Sequence, residues 1–104
     1  MTVNPHVVNV QITFKNTAAT EAIKKYTEDK ITACLRKFVH ADTEAHIVLS
    51  VEKSRQIAEI SVHSGSTEVN CKEESTDLYA SIDALVDLLT NQLRKNKEKM
   101  VKHH

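Results

Sequence analysis

At 104 residues the chain suits one domain built round one hydrophobic core. Its 14 Lys and Arg cancel its 14 Asp and Glu, which excludes indiscriminate nucleic-acid binding through bulk charge and leaves only the distribution of charge to attract a polyanion. Gly65 is the sole glycine, so glycine-rich phosphate cradles, which need several glycines to bring backbone amides up to the anion, are excluded as well.

Strict alternation begins at Val8. Val8, Val10, Ile12 and Phe14 fall on one side and Asn9, Gln11 and Thr13 on the other, the mark of a half-buried strand. Helical spacing follows Asn16 and Thr17, both expected caps, and places Ile23, Tyr26, Ile31, Cys34, Leu35 and Phe38 in one apolar stripe. A first helix is therefore expected to about Lys37. Beyond a polar loop near His40 to Glu44, alternation returns at Ile47, Leu49 and Val51, at Ala58, Ile60 and Val62, and at Val69 and Cys71. Lys53 to Arg55 and Ser64 to Ser66 read as the hairpin turns, with Gly65 suited to a positive φ.

Ser75 or Thr76 is the expected cap of a second helix, with Asp77 in its first turn at the positive end of the dipole. Leu78, Ile82, Leu85, Leu89 and Leu93 recur at three- and four-residue steps, the stripe of a long amphipathic helix. From Asp77 to Lys99 it would run about 35 Å, longer than a small sheet needs for cover. Up to Asn91 its charges are acidic (Asp77, Asp83, Asp87), whereas beyond it Arg94, Lys95, Lys97, Lys99 and Lys102 face the single Glu98. The order βαβββα, with every strand apolar on one side only, predicts an α+β two-layer sandwich: a four-stranded sheet, both helices packed on one face, the other face left to solvent. A single domain is expected over residues 1 to 104, its core from about 8 to 99 and its termini flexible.

Catalytic and metal chemistry find no constellation. Of the histidines, His6, His103 and His104 lie in the termini, His40 in a loop, and His46 and His63 on the polar sides of strands, without metal-ligand spacing. Cys34 and Cys71 show no CxxC motif and fall on apolar faces, where a thiol behaves as a small hydrophobe and is hard to ionise. Asp77, Asp83 and Asp87 read as a solvated helix face. Neither an enzyme, nor a cofactor, nor a small-molecule substrate is implied. No apolar run spans a membrane and no secretory leader is seen, so a reducing, cytoplasmic setting is expected. The basic residues are different. Lys24, Lys25, Lys30, Arg36 and Lys37 lie off the apolar stripe of the first helix, and Arg94, Lys95, Lys97 and Lys99 extend the second, so packed helices would present one composite cationic surface to RNA phosphates. Phe14, Tyr26, Phe38 and Tyr79 sit at apolar-stripe spacing and read as core, which leaves no platform for stacking bases as in an RRM. A protein adaptor that uses the long helix or a sheet edge is the alternative reading.

The segment DLYASIDALVDLLTNQLRKNKEK closely resembles the second helix of the ribosome hibernation promoting factor and ribosome-associated inhibitor family (sigma-54 modulation proteins), whose pattern reads roughly DMYAAID followed by D-K-L-x-R-Q-L-x-K-H-K-[DE]-K. IVLSVEKSRQIAEISVH is similar to the family's VVL-x-VEK hairpin and following strand, and TEAIKKY to its TEALREY helix opening, so the resemblance runs from about Val8 to Lys99. It implies a non-enzymatic, cytoplasmic factor that binds the small ribosomal subunit and intact ribosomes in stressed or stationary cells. There it would sit at the decoding channel, exclude mRNA and tRNA and inhibit translation, with inactive ribosome dimers and a second hibernation factor as further expectations.

Carried over by position, Lys24, Lys30, Lys95, Lys97 and Lys99 match basic positions of the family pattern and would contact small-subunit rRNA. Lys25, Arg36, Lys37 and Arg94 are added on charge alone. Leu88 and Asn91 replace a common Lys and Arg, which predicts a smaller contribution from the middle of the second helix. Phe14 replaces a glycine after the first strand, and Ser66 and Thr67 replace a Gly-Gly turn. Ending soon after the second helix, the chain resembles the short hibernation promoting factors, without the C-terminal domain of the long ones or the extended tail of the inhibitor subtype.

Overall fold

A computed structural model describes the backbone of residues 7 to 102 and the side chains of residues 7 to 95. The elements are β1 (Val8–Lys15), α1 (Glu21–Phe38), β2 (Thr43–Glu52), β3 (Arg55–Ser64), β4 (Thr67–Ser75) and α2 (Leu78–Lys102), the order expected from periodicity. They form one sheet with strand order β1-β2-β3-β4. β2, β3 and β4 are joined by two antiparallel hairpins. β1 runs parallel to β2, Val8 opposite Thr43 and Phe14 opposite Leu49. A parallel neighbour needs a crossover, and α1 supplies it. The helices form a layer on one face of the sheet, α1 over β1 and α2 over β3 and β4, and they touch each other.

Both helix starts differ from expectation by a few residues. α1 begins at Thr20, whose hydroxyl accepts the Ile23 amide at 3.2 Å, while Asn16, expected as a cap, sits in the preceding turn at φ 58°. Thr20 caps because its backbone is still extended (φ −110°, ψ 150°) where the helix begins, and it is followed by Glu21, a carboxylate suited to the positive helix end. At α2 the cap is Asp77, not Ser75 or Thr76: its Oδ2 accepts the Ala80 amide at 3.1 Å and its carbonyl the Ser81 amide at 3.0 Å. Ser75 acts one step earlier, its hydroxyl accepting the Asp77 amide at 3.1 Å. The two hairpin turns need left-handed backbone at Lys53 (φ 57°) and at Gly65 (φ 61°).

Ile31 and Leu35 of α1, Ile47 and Leu49 of β2, and Ile82, Leu85 and Leu89 of α2 are fully buried between the layers. Buried hydroxyls are satisfied locally: Thr27 donates to the Ile23 carbonyl at 2.8 Å and Ser81 lies 2.6 Å from the Gln56 carbonyl, tying the start of α2 to β3. Opposite the helices, the sheet displays the polar sides of its strands, interrupted by Val48, half-buried in register with Thr13 and Glu59, and by Ile57. Ile57 alternates onto that face yet is only 3% exposed, in register with Ser50 and Glu74.

Candidate nucleic-acid interface

Where α1 and α2 meet, the helices flank an open cleft of about 520 Å³. From α1 come Ala33, Cys34 and Phe38; from α2, one turn apart, come Val86 and Thr90. These make an apolar floor, closed by a contact between the Cys34 Sγ and the Thr90 hydroxyl at 3.3 Å. Lys30, Lys37 and Arg94 stand at its rim with one carboxylate, Asp29. Spacing explains the selection. Lys30 and Lys37 are seven residues apart, close to two full turns, so they share one side of α1, and Val86, Thr90 and Arg94 recur every four residues on the side of α2 that meets it.

Of the nine basic residues expected to form a composite surface, Lys30, Lys37 and Arg94 converge on this cleft. Lys24, Lys25 and Arg36 are exposed on α1 but do not line it, because helical rotation turns them by about 120° or more from Lys30. Lys25 instead pairs with Asp29 at 3.4 Å along the outer side of α1. Lys95 is exposed one residue round the helix from Arg94. The side chains of Lys97 and Lys99 lie outside the described residues. Among the described residues, neither Lys30 nor Lys37 makes an ion pair, whereas several charges on the open face of the sheet pair across strands. There Arg55 binds Glu74 at 2.6 Å and Glu52 at 3.4 Å, and Lys72 lies 3.6 Å from Glu59.

Of the four aromatic residues expected in the core, Phe14, Tyr26 and Phe38 are half-buried and packed against it, and Tyr79 departs. Tyr79 is 39% exposed, and its ring meets Tyr26 edge-on at 5.0 Å between centroids. Tyr26 lies at the cleft, with the Lys30 ammonium 5.4 Å over its ring and its hydroxyl donating to Asp83 Oδ1 at 2.5 Å. That hydrogen bond, reinforced by slight desolvation and the nearby Asp83 charge, raises the tyrosine pKa. Amphipathic spacing put both tyrosines on the core side because they fall at the edge of the apolar arc, where period alone does not separate floor from rim. Thr90 and Asp83 were missed for a related reason: their roles depend on contacts to Cys34 and Tyr26, more than 50 residues away in sequence.

Other chemistry stays inert. Burial pushes the Cys34 and Cys71 thiols up, against a smaller opposing effect of Thr90 on Cys34. The two histidines of the open face are engaged locally, His46 Nε2 2.8 Å from the Thr13 hydroxyl and His63 Nε2 3.5 Å from Glu68. Among the described residues no three His, Cys, Asp or Glu side chains are placed to hold a metal, and no helix is long and apolar enough to cross a membrane.

Known proteins share both the sequence and the architecture. A ribosome hibernation promoting factor from Klebsiella oxytoca is 35% identical over 96 residues, 92% of this chain and 100% of its own length. The factor of the same name from Escherichia coli K12 is 32% identical over the same shares. Among solved structures, a ribosomal subunit interface protein from Coxiella burnetii superposes with a TM-score of 0.78 at 26% identity, covering 86% of this chain and 98% of its own. The N-terminal domain of Thermus thermophilus Protein Y does so with a TM-score of 0.76 at 32% identity, covering 84% and 97%. The family model described as sigma 54 modulation protein / S30EA ribosomal protein matches residues 10–101, and the chain belongs to this family of non-enzymatic ribosome hibernation factors.

Proposed function

We propose that the chain silences ribosomes by laying its helix layer against small-subunit rRNA in the decoding channel. Bound there, it excludes mRNA and tRNA, inhibits translation under stress or in stationary phase and favours inactive ribosome dimers. The reading is supported most directly by the convergence of Lys30, Lys37 and Arg94 around one cleft between two rigid helices. Cations fixed on helices hold a polyanion in one register, and each phosphate they neutralise releases counterions. The family's ribosome factors support the cellular setting, a cytoplasmic one. In a chain whose total charge is zero, this local excess confers attraction without general affinity for nucleic acid.

Sedimentation of the protein with purified small subunits through sucrose gradients at two salt concentrations tests the reading. Comigration that fades with salt is expected. Reversing Lys30, Lys37 and Arg94 together to Glu is expected to abolish comigration while the circular dichroism spectrum is retained; with neutral Gln at the same positions, the log–log salt slope should fall by roughly two to three. Protein that stays at the top of the gradient at low salt overturns the proposal.

A further inference from the structure

The floor of the α1–α2 cleft is not explained by phosphate binding. A surface that tracks a nucleic-acid backbone needs cations in contact with solvent, and an apolar hollow between them adds nothing to that task. Yet the hollow is about 520 Å³, a size that receives small-molecule groups. It is open where Ala33 contributes only a methyl group, and the longer Phe38 and Val86 complete its apolar lining. Lys30 and Lys37 lie roughly 10 Å apart along α1, on either side of this gap, and Arg94 reaches it from α2. The occupant such a site fits is apolar in the middle and anionic on both flanks.

We infer that the cleft receives one unstacked nucleobase of the bound rRNA, the phosphates on either side of it being held by Lys30, Lys37 and Arg94. The inference rests on the ribosome-binding reading above. A nucleobase presents a broad apolar face that single-stranded RNA leaves free for protein side chains, and its phosphates follow at fixed positions along the chain. The Thr90 hydroxyl, 3.3 Å from the Cys34 Sγ, can donate or accept and so serves either kind of polar atom on a base edge. Asp29, the one carboxylate on the rim, is paired with Lys25 at 3.4 Å, which reduces its repulsion of a phosphate.

The experiment fills the hollow and leaves every cation in place. Ala33→Phe projects a ring into the cleft from an exposed helix position, and Ala22→Phe adds the same ring at an exposed α1 position that does not line it. Binding of each full-length variant to purified small subunits is measured at two salt concentrations, with chemical probing of the rRNA bases in the same complexes. Ala33→Phe is expected to weaken binding at least tenfold with an unchanged salt slope, and to make reactive one base that the wild type and Ala22→Phe protect. Should thermal melting show that Ala33→Phe does not fold, Ala33→Met provides the smaller filling group. Wild-type affinity and protection in the filled variant overturn the inference and leave the ribosome reading intact. Weakened binding with no change at any base means that no base occupies the cleft, which also overturns it. A wild-type chain that fails to bind subunits removes the function itself before any variant is compared.

Discussion

The two surfaces of this small sheet handle charge in opposite ways. On the open face, Arg55 is shared between Glu74 and Glu52, Lys72 leans on Glu59 and His63 on Glu68, so most of the charge is answered by a neighbouring strand. On the helix layer Lys30 and Lys37 have no described carboxylate partner, and they gather with Arg94 round an apolar hollow. Cross-strand neighbours lie about 5 Å apart, so opposite charges on a sheet find each other automatically. Helices splay their side chains outward, and only those on the facing sides of a packed pair meet. A protein of zero net charge thus pairs most cations on one face and leaves Lys30 and Lys37 on the other without a described partner, by placement alone.

The largest effect should come from beneath the helix layer. Leu85→Ala, in the fully buried row that α2 lays on the sheet, is expected to cost about 2–5 kcal/mol in denaturant unfolding, whereas Glu59→Ala on the open face should stay within about 0.5 kcal/mol. Equal losses would break the distinction between the two faces. Next in size, Asp77→Ala removes the α2 cap and is expected to cost about 0.5–2 kcal/mol in the same assay, with subunit binding preserved because no cleft residue changes.

The smallest effect is pH-linked and belongs to the open face. Arg55 holds the Glu74 carboxylate below its ordinary pKa. Its contribution is therefore fully present above the unfolded carboxylate value of about 4.3 and is lost as pH falls through the depressed folded value. Comparing urea midpoints of the wild type and Glu74→Gln at pH 6 and pH 3 should show a small wild-type advantage at pH 6 that shrinks at pH 3, as befits an exposed pair. A difference that grows on acidification would contradict the assigned pair.

Much of this architecture was legible along the chain. The period-two runs from Val8, Ile47, Ala58 and Val69, the apolar stripe of α1 from Ile23 to Phe38 and the leucine stripe of α2 identified every element, and the positive φ assigned to Gly65 is present. Helix starts were displaced because Asn16, Thr17, Ser75 and Thr76 all have capping side chains; which one caps depends on where the backbone turns into the helix, and Thr20 and Asp77 occupy that point. The candidate site was legible only as a list of lysines and arginines. Lys25 and Arg36 carry the same charge as Lys30 and Lys37 and differ from them only in angle round one helix.

By itself, then, the sequence determined the element order, the buried row and the family motifs, because alternation and helical period are local properties that each segment expresses whatever its neighbours do. Tertiary structure decided which cations converge, that Tyr26 reaches Asp83, and that a hollow lies between Ala33 and Val86. Those outcomes depend on α1 and α2 lying side by side in one layer, which is set by the parallel crossover and by contacts such as Cys34 with Thr90 between residues more than fifty apart in the chain, a relation that no periodicity within either helix encodes.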